Sequence, residues 1–251
     1  MIKKIDLDKI EKIALEAGKA IMTIYDKDFT IEYKDDKSPL TEADLKSNEI
    51  ICNALLKLYP NIPILSEENK AAPFQKRKEW EYYWCIDPID GTKEFIKKNG
   101  EFTVNIALIY KNKPILGVVY APALDDMYIA KENEGAFKNG EKLPLQRNTN
   151  PSKKMSVVAS KSHLSKETQD FINALNTEEI IQVSKGSSLK LCMVAEGVAD
   201  IYPRLAPTME WDTAAADAIV RESGKMTYQF DSEEAVLYNK ENLLNPWFVV
   251  K

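Results

Sequence analysis

Cysteine, histidine and glycine are scarce in this chain: three, one and nine among 251 residues. Cys52, Cys85 and Cys192 stand far apart with no Cys-x-x-Cys, which excludes a disulfide framework and a cysteine-held zinc site and fits a reducing compartment. The lone His163 leaves no two-histidine zinc motif, and a Ser-His-Asp triad would have to be built on that residue. No run approaches the ~20 apolar residues that span a bilayer. The opening Met1-Ile-Lys-Lys-Ile-Asp6 is charged too early for a signal peptide. The expected location is the cytoplasm, with peripheral association at the inner face of the membrane left open. Positive charge is also in deficit, 34 Lys and Arg against 39 Asp and Glu, a net −5. Nucleic-acid polymers need a basic surface and are excluded as general partners, while small anions held locally are not.

What is present is the composition of an ordinary globule, 44% hydrophobic and 29% charged. That excludes collagen-like and disordered classes and allows one large domain or two small ones. Apolar residues at helical spacing predict an amphipathic helix over 8–25 and a second from Thr41 to the break at Pro60. Short apolar runs at 62–65 and 82–86 predict buried strands that lead directly into acidic residues. Closely spaced strands at 102–110, 115–120 and 127–130, with a turn at Asn139-Gly140, predict an antiparallel sheet. Beyond Asn148, strands at 155–160 and 180–184 and an extended 199–202 alternate with helices at 166–175, 189–195 and 213–222. That alternation predicts a mostly parallel sheet. The boundary falls in Gln146–Lys154, dividing the chain into 1–147 and 148–251.

The densest chemistry lies in Trp84-Cys-Ile-Asp87-Pro-Ile-Asp90-Gly91-Thr92-Lys-Glu-Phe95. Pro88 is expected to force a turn and Gly91-Thr92 to open a helix. Two carboxylates three residues apart, with the Ile89 carbonyl between them, then form an oxygen-only set suited to Mg²⁺. For an isolated Asp-x-x-Asp-Gly-Thr, an ordinary turn capped by Asp is the simpler account. Ser66-Glu67-Glu68 after a buried strand and Glu210-Trp211-Asp212-Thr213 at a helix start change the balance. If Glu67, Asp87, Asp90 and Asp212 converge, each pair ~4 Å apart repels by roughly 4 kcal/mol at an effective dielectric near 20. Two bound cations resolve that repulsion, and the usual work of such a site is in-line displacement at phosphorus.

These motifs resemble the Mg²⁺-dependent, lithium-sensitive phosphatases of the inositol monophosphatase superfamily, over nearly the whole chain. Within it the chain is most similar to the bacterial 3'(2'),5'-bisphosphate nucleotidases. Gly91-Thr-Lys-Glu-Phe-Ile96, Asn99–Ala107, Lys113–Pro122, Gly186-Ser-Ser-Leu-Lys190 and Ala195–Arg204 carry that similarity. The resemblance implies an α+β fold, a layered α-β-α-β-α sandwich, with the antiparallel half carrying most metal ligands and the other half the substrate pocket. It implies hydrolysis of adenosine 3',5'-bisphosphate to AMP and phosphate, within sulfur metabolism, with 3'-phosphoadenosine 5'-phosphosulfate as a further candidate substrate.

By the same resemblance, one Mg²⁺ is held by Glu67, Asp87 and the Ile89 carbonyl, and a second by Asp87, Asp90 and Asp212; two or three ions per site are allowed. Asp44, Thr92 and Glu67 are the catalytic residues, Asp44 and Thr92 orienting the attacking water. Substrate lies against Ile89, Asp90, Gly91, Thr92 and Asp212, with the phosphate on the Gly91 and Thr92 N–H groups. His163, Ser187, Lys190 and Arg204 line the nucleotide pocket. Thr41-Glu-Ala-Asp44 is also a near capping box, so Asp44 serves a helix start as well. One departure is Ala216 where many members have Gly; it removes no ligand. An inositol or sugar monophosphatase on the same metal core remains an alternative, as does a silent metal- and nucleotide-binding protein. Monomer and homodimer are both open.

Overall fold

The computed structural model describes residues 2–27, 30–33, 39–146, 148–159 and 165–251. A 3-10 turn precedes helix α1 (Leu7–Tyr25), and the short strands β1 (Ile31–Tyr33) and β2 (Pro39–Thr41) lead to α2 (Glu42–Leu58). Strand β3 (Ile64–Ser66), the short α3 (Phe74–Arg77), β4 (Tyr82–Asp90) and the short α4 (Thr92–Ile96) follow. Next come β5 (Thr103–Tyr110), β6 (Lys113–Ala121), β7 (Asp126–Lys131), β8 (Gly135–Lys138) and β9 (Glu141–Lys142). The second half contains β10 (Lys154–Val158), α5 (Lys166–Asn173), β11 (Glu179–Val183), α6 (Leu189–Glu196) and β12 (Tyr202–Arg204). It closes with α7 (Glu210–Glu222), β13 (Thr227–Gln229) and β14 (Phe248–Val250).

Strands β3 to β9 form one seven-stranded sheet in sequence order, antiparallel throughout except for the parallel β3–β4 pair. Alternate residues of each strand face opposite layers. Trp84, Ile86, Val104, Ile106 and Val118 pack with the apolar stripes of α1 and α2. Tyr83, Cys85, Ala107 and Val119 pack the other way, with α6 and α7. Both faces are therefore covered, which is why these strands read as unbroken apolar runs.

Behind α6 and α7 lies the second layer of strands, and α5 packs on its outside. The expected parallel pairing is present in β10–β11 and in the parallel Val157–Ile201 bridge. The C-terminal strands, which carried no strong sequence pattern, extend it as an antiparallel β12–β14–β13 set, so this sheet is mixed. The order helix, sheet, helix, sheet, helix is the layered α+β sandwich expected. No helix among the described residues is long and apolar enough to cross a membrane.

Two local expectations are corrected. Pro88 does not end its strand: β4 runs on to Asp90, and the register against β5 shifts between Asp87 and Asp90. A bulge absorbs the missing proline N–H, so the chain keeps its direction while the side chains after Asp87 are re-aimed. Helix α7 starts at Glu210 rather than Thr213, which places Asp212 inside its first turn.

Candidate active site

Parallel pairing sets Ser66 of β3 beside Ile86 of β4. Glu67 follows at once, its N–H donating to the Ile86 carbonyl at 3.1 Å, and so comes alongside Asp87. Asp87 continues the series Tyr83, Cys85 that faces α7. From that helix Asp212 approaches, its Oδ2 accepting the Met209 N–H at 2.8 Å. Glu67, Asp87 and Asp212 bring carboxylate oxygens within 4.8 Å of one another. Asp90, beyond the bulge, stands next to this trio; its Oδ2 accepts from the Ser188 hydroxyl at 2.7 Å.

Burial and mutual repulsion dominate the electrostatics. Asp87 is pushed well above the usual carboxylate range, first by burial, then by Glu67, Asp90, Asp212 and Asp44. Burial and the charge of Asp90 push Asp212 up to about 8, against the pull of the Met209 N–H. Burial also raises Asp90, while Lys190 and Ser188 hold it down. Carboxylates so placed cannot all be ionised at neutral pH without added positive charge. The donors are hard oxygens only, so the set fits a divalent cation of the Mg²⁺ type.

The proposed water-orienting pair also meets. Thr92, the first residue of α4, donates its hydroxyl toward Asp44 Oδ1 at 3.2 Å and toward the Ile89 carbonyl at 3.3 Å. Asp44 caps α2 at the same time, Oδ2 accepting the Thr41 N–H at 2.8 Å and the Thr41 hydroxyl at 2.7 Å. Ile89 N–H donates to Asp87 Oδ1 at 3.1 Å, which folds the bulge tightly around the carboxylate. Gly91 has φ +90°, and a Cβ there would lie 3.2 Å from that of Ser187. The loop before α6 is thereby seated directly on the turn that follows Asp90.

A cavity of about 520 Å³ opens beside Asp90 and Gly91 and runs between Ser187, Lys190, Tyr202 and Arg204. Lys190 donates no hydrogen bond to a described group; burial and Arg204 lower its pKa, and Asp90 opposes that. Arg204 gives one N–H to the Pro207 carbonyl at 3.1 Å, but its Nε is buried without a partner. Two cations beside one cavity are the donor types that suit an anion. Ser187, with φ +45°, receives the Thr103 hydroxyl at 3.4 Å. His163 lies outside the described residues. Ala216 is buried on α7 among other alanines.

Two residues that touch the carboxylates escaped the motif reading. Asn105 sits opposite Asp87 in the β4–β5 register, and Ser188 precedes α6. The available signal was a polar residue at the centre of the apolar strand Thr103–Tyr110, together with the second serine of Gly-Ser-Ser.

Comparison with known proteins shows the family and the fold. A family model described as the inositol monophosphatase family matches residues 6–247. The 3'(2'),5'-bisphosphate nucleotidase CysQ of Salmonella typhimurium is 44% identical over 246 residues, 97% of this chain and 98% of that one. Its Escherichia coli K12 counterpart is 43% identical with the same coverage. The crystal structure of CysQ from Bacteroides thetaiotaomicron, titled a bacterial member of the inositol monophosphatase family, superposes with TM-score 0.88 at 43% identity. That match covers 98% of this chain and 96% of the other.

Proposed function

The chain belongs to the inositol monophosphatase family, and on that footing we propose that it is a metal-dependent 3'(2'),5'-bisphosphate nucleotidase. It removes the 3'-phosphate of adenosine 3',5'-bisphosphate, yielding AMP and phosphate, and its relatives named CysQ act under that activity name. The observation that carries the choice of substrate is the pairing of two half-buried cations, Lys190 and Arg204, with a cavity that begins at Asp90. A monophosphate occupies the carboxylate end alone; a second phosphate accounts for the basic end.

Residues 1–147 supply Glu67, Asp87, Asp90 and the Ile89 carbonyl, and residues 148–251 supply Asp212 and the basic pocket. Glu67, Asp87 and Ile89 would hold one Mg²⁺, and Asp87, Asp90 and Asp212 a second. When bound, these ions neutralise the carboxylates, polarise the phosphoryl oxygens and lower the pKa of a water. The chain's own part is orientation. Asp44 accepts a proton or hydrogen bond from the attacking water, Thr92 holds Asp44 in place, and the Gly91 and Thr92 N–H groups face the phosphate. Ser187, Lys190 and Arg204 fix the second phosphate and so the nucleotide's position; His163 is assigned to the same pocket.

The test is phosphate release at neutral pH with Mg²⁺, adenosine 3',5'-bisphosphate against inositol 1-phosphate, with and without Li⁺. A lithium-sensitive preference for the nucleotide is expected. Preference for inositol phosphate would keep the metal core and discard the pocket assignment, and turnover of neither would leave a silent binder.

A further inference from the structure

The Ser188 hydroxyl stands between two elements that carry metal-ligand candidates. Its oxygen lies 2.7 Å from Asp90 Oδ2 and 2.7 Å from the main-chain carbonyl of Asp212. The same oxygen receives Asn105 Nδ2 at 2.8 Å. Asn105 Nδ2 also stands 3.5 Å from Asp90 Oδ2. Ser188 and Asn105 are both 1% exposed, so water does not compete for these bonds. The backbone N–H of Ser188 is a further donor to Asp90.

A hydroxyl has one proton, and here the amide of Asn105 fills an acceptor lone pair, leaving that proton for Asp90 or for the Asp212 carbonyl. A carboxylate charged beside a cation is the stronger acceptor, so the proton goes to Asp90. The amide of Asn105 is oriented by the same charge. Its Oδ1 is buried without a donor, yet the reverse flip would set that oxygen against the Asp90 carboxylate. The amide thus leaves its own acceptor unsatisfied in order to keep its donor side toward Ser188 and Asp90.

We infer that Ser188 and Asn105 are positioning residues: together they hold Asp90 Oδ2 and turn the other Asp90 oxygen toward the cation. Neither residue touches the reacting phosphate. The inference rests on the two-cation reading of the site. Asp90 arrives after a bulge, where backbone register alone fixes a side chain poorly, so the side chain is set from outside its own strand.

The test is calorimetric titration of the metal-free full chain with Mg²⁺, for the wild type, Ser188→Ala, Asn105→Ala and the double variant, with metal-free melting temperatures alongside. Loss of such supporting bonds weakens metal binding on the order of 10-fold or more. That loss is expected in each single variant, with the double variant no weaker than the worse single. The Mg²⁺ concentration for half-maximal turnover should rise with it, while the KM for the nucleotide at saturating Mg²⁺ stays near wild type. Unchanged Mg²⁺ affinity overturns the inference, as do losses that add in the double variant or that only follow a lower metal-free melting temperature. If Ser188→Ala does not fold, Asn105→Ala decides by the same criteria. A wild-type chain that binds no Mg²⁺ overturns the metal reading, and this inference with it.

Discussion

Thr92 donates its hydroxyl to Asp44 Oδ1 at 3.2 Å, joining the first turn of α4 to the first turn of α2. The other oxygen of Asp44 closes the capping box with Thr41 at 2.8 and 2.7 Å. One carboxylate therefore holds a helix start and one edge of the candidate active site. The cap gives Asp44 a fixed rotamer, and the fixed rotamer is what a water-orienting group requires.

Asp44→Asn separates the two roles. The amide keeps the shape and part of the cap, so stability should fall by only about 1 kcal/mol. Turnover should fall far more, on the order of 10²-fold or greater, because an amide cannot take the proton of a water. Melting temperature and steady-state kinetics on the same preparation check this. A loss of kcat no larger than the loss of folded protein would reduce Asp44 to a cap.

The raised carboxylates make metal-free stability depend on pH in an unusual direction. In the folded chain Asp212 is pushed up to about 8 from the usual 3.8, and Asp87 and Asp90 are raised as well. The folded state thus binds more protons than the unfolded one, so stability is full below the unfolded values and is lost as pH rises through the folded ones. In chelator, the melting temperature should fall by several degrees between about pH 5.5 and 8.5. Mg²⁺ binds the ionised form and should raise the melting temperature most at the alkaline end. A chelated protein whose melting temperature stays flat or rises over that range would show that the carboxylates do not repel one another as placed.

Gly117 of β6 lies under α7, where a Cβ would strike the Ala215 carbonyl oxygen and come within 2.9 Å of Ala218 Cβ. At that crossing the helix presents Ala215 and Ala218, so it settles close to the sheet and brings Asp212 down to Asp87. Gly117→Ala should force the helix outward at a cost of about 1–3 kcal/mol. The same displacement should weaken Mg²⁺ binding, because Asp212 moves with the helix. Thermal melting and metal titration together check this. Lower stability with unchanged Mg²⁺ affinity would mean that α7 does not need this close approach to deliver its ligand.

Much of this arrangement was legible because its signals are local. The α1 stripe, the α2 cap at Thr41 and the apolar runs of β4 to β7 each carry their own period or boundary. Glu67, Asp87 and Asp212 were recognisable because each lies in a short acidic motif beside apolar, small or turn-forming residues. The course of β4 through Pro88 was not, since a bulge is defined by the partner strand and not by the proline. The strands β13 and β14 were also missed: each has three residues, too few for a pattern, and they form by pairing across distant chain. Asn105 and Ser188 were hidden for a related reason, as a polar residue in an apolar strand declares its purpose only when its neighbour from another element is known.

Lys190 provides the sharpest separation of nucleotide recognition from phosphate chemistry. It feels the charges of Asp90, Glu94 and Glu101 on the one hand and of Arg204 on the other. Two roles are therefore conceivable, balancing the carboxylates or meeting the second phosphate. The first predicts equal damage with every substrate; the second predicts damage only where a second phosphate exists. Because Lys190 donates to no described group while Arg204 Nε is buried unpaired, the pair is placed to receive an anion between them. Lys190→Ala should raise KM for adenosine 3',5'-bisphosphate by about 10- to 100-fold, the worth of one charge-assisted hydrogen bond. The same variant should change kcat/KM for adenosine 3'-monophosphate much less. Comparing the two substrates at saturating Mg²⁺ measures the difference directly. Equal losses with both would assign Lys190 to the carboxylates and leave Arg204 alone to recognise the second phosphate.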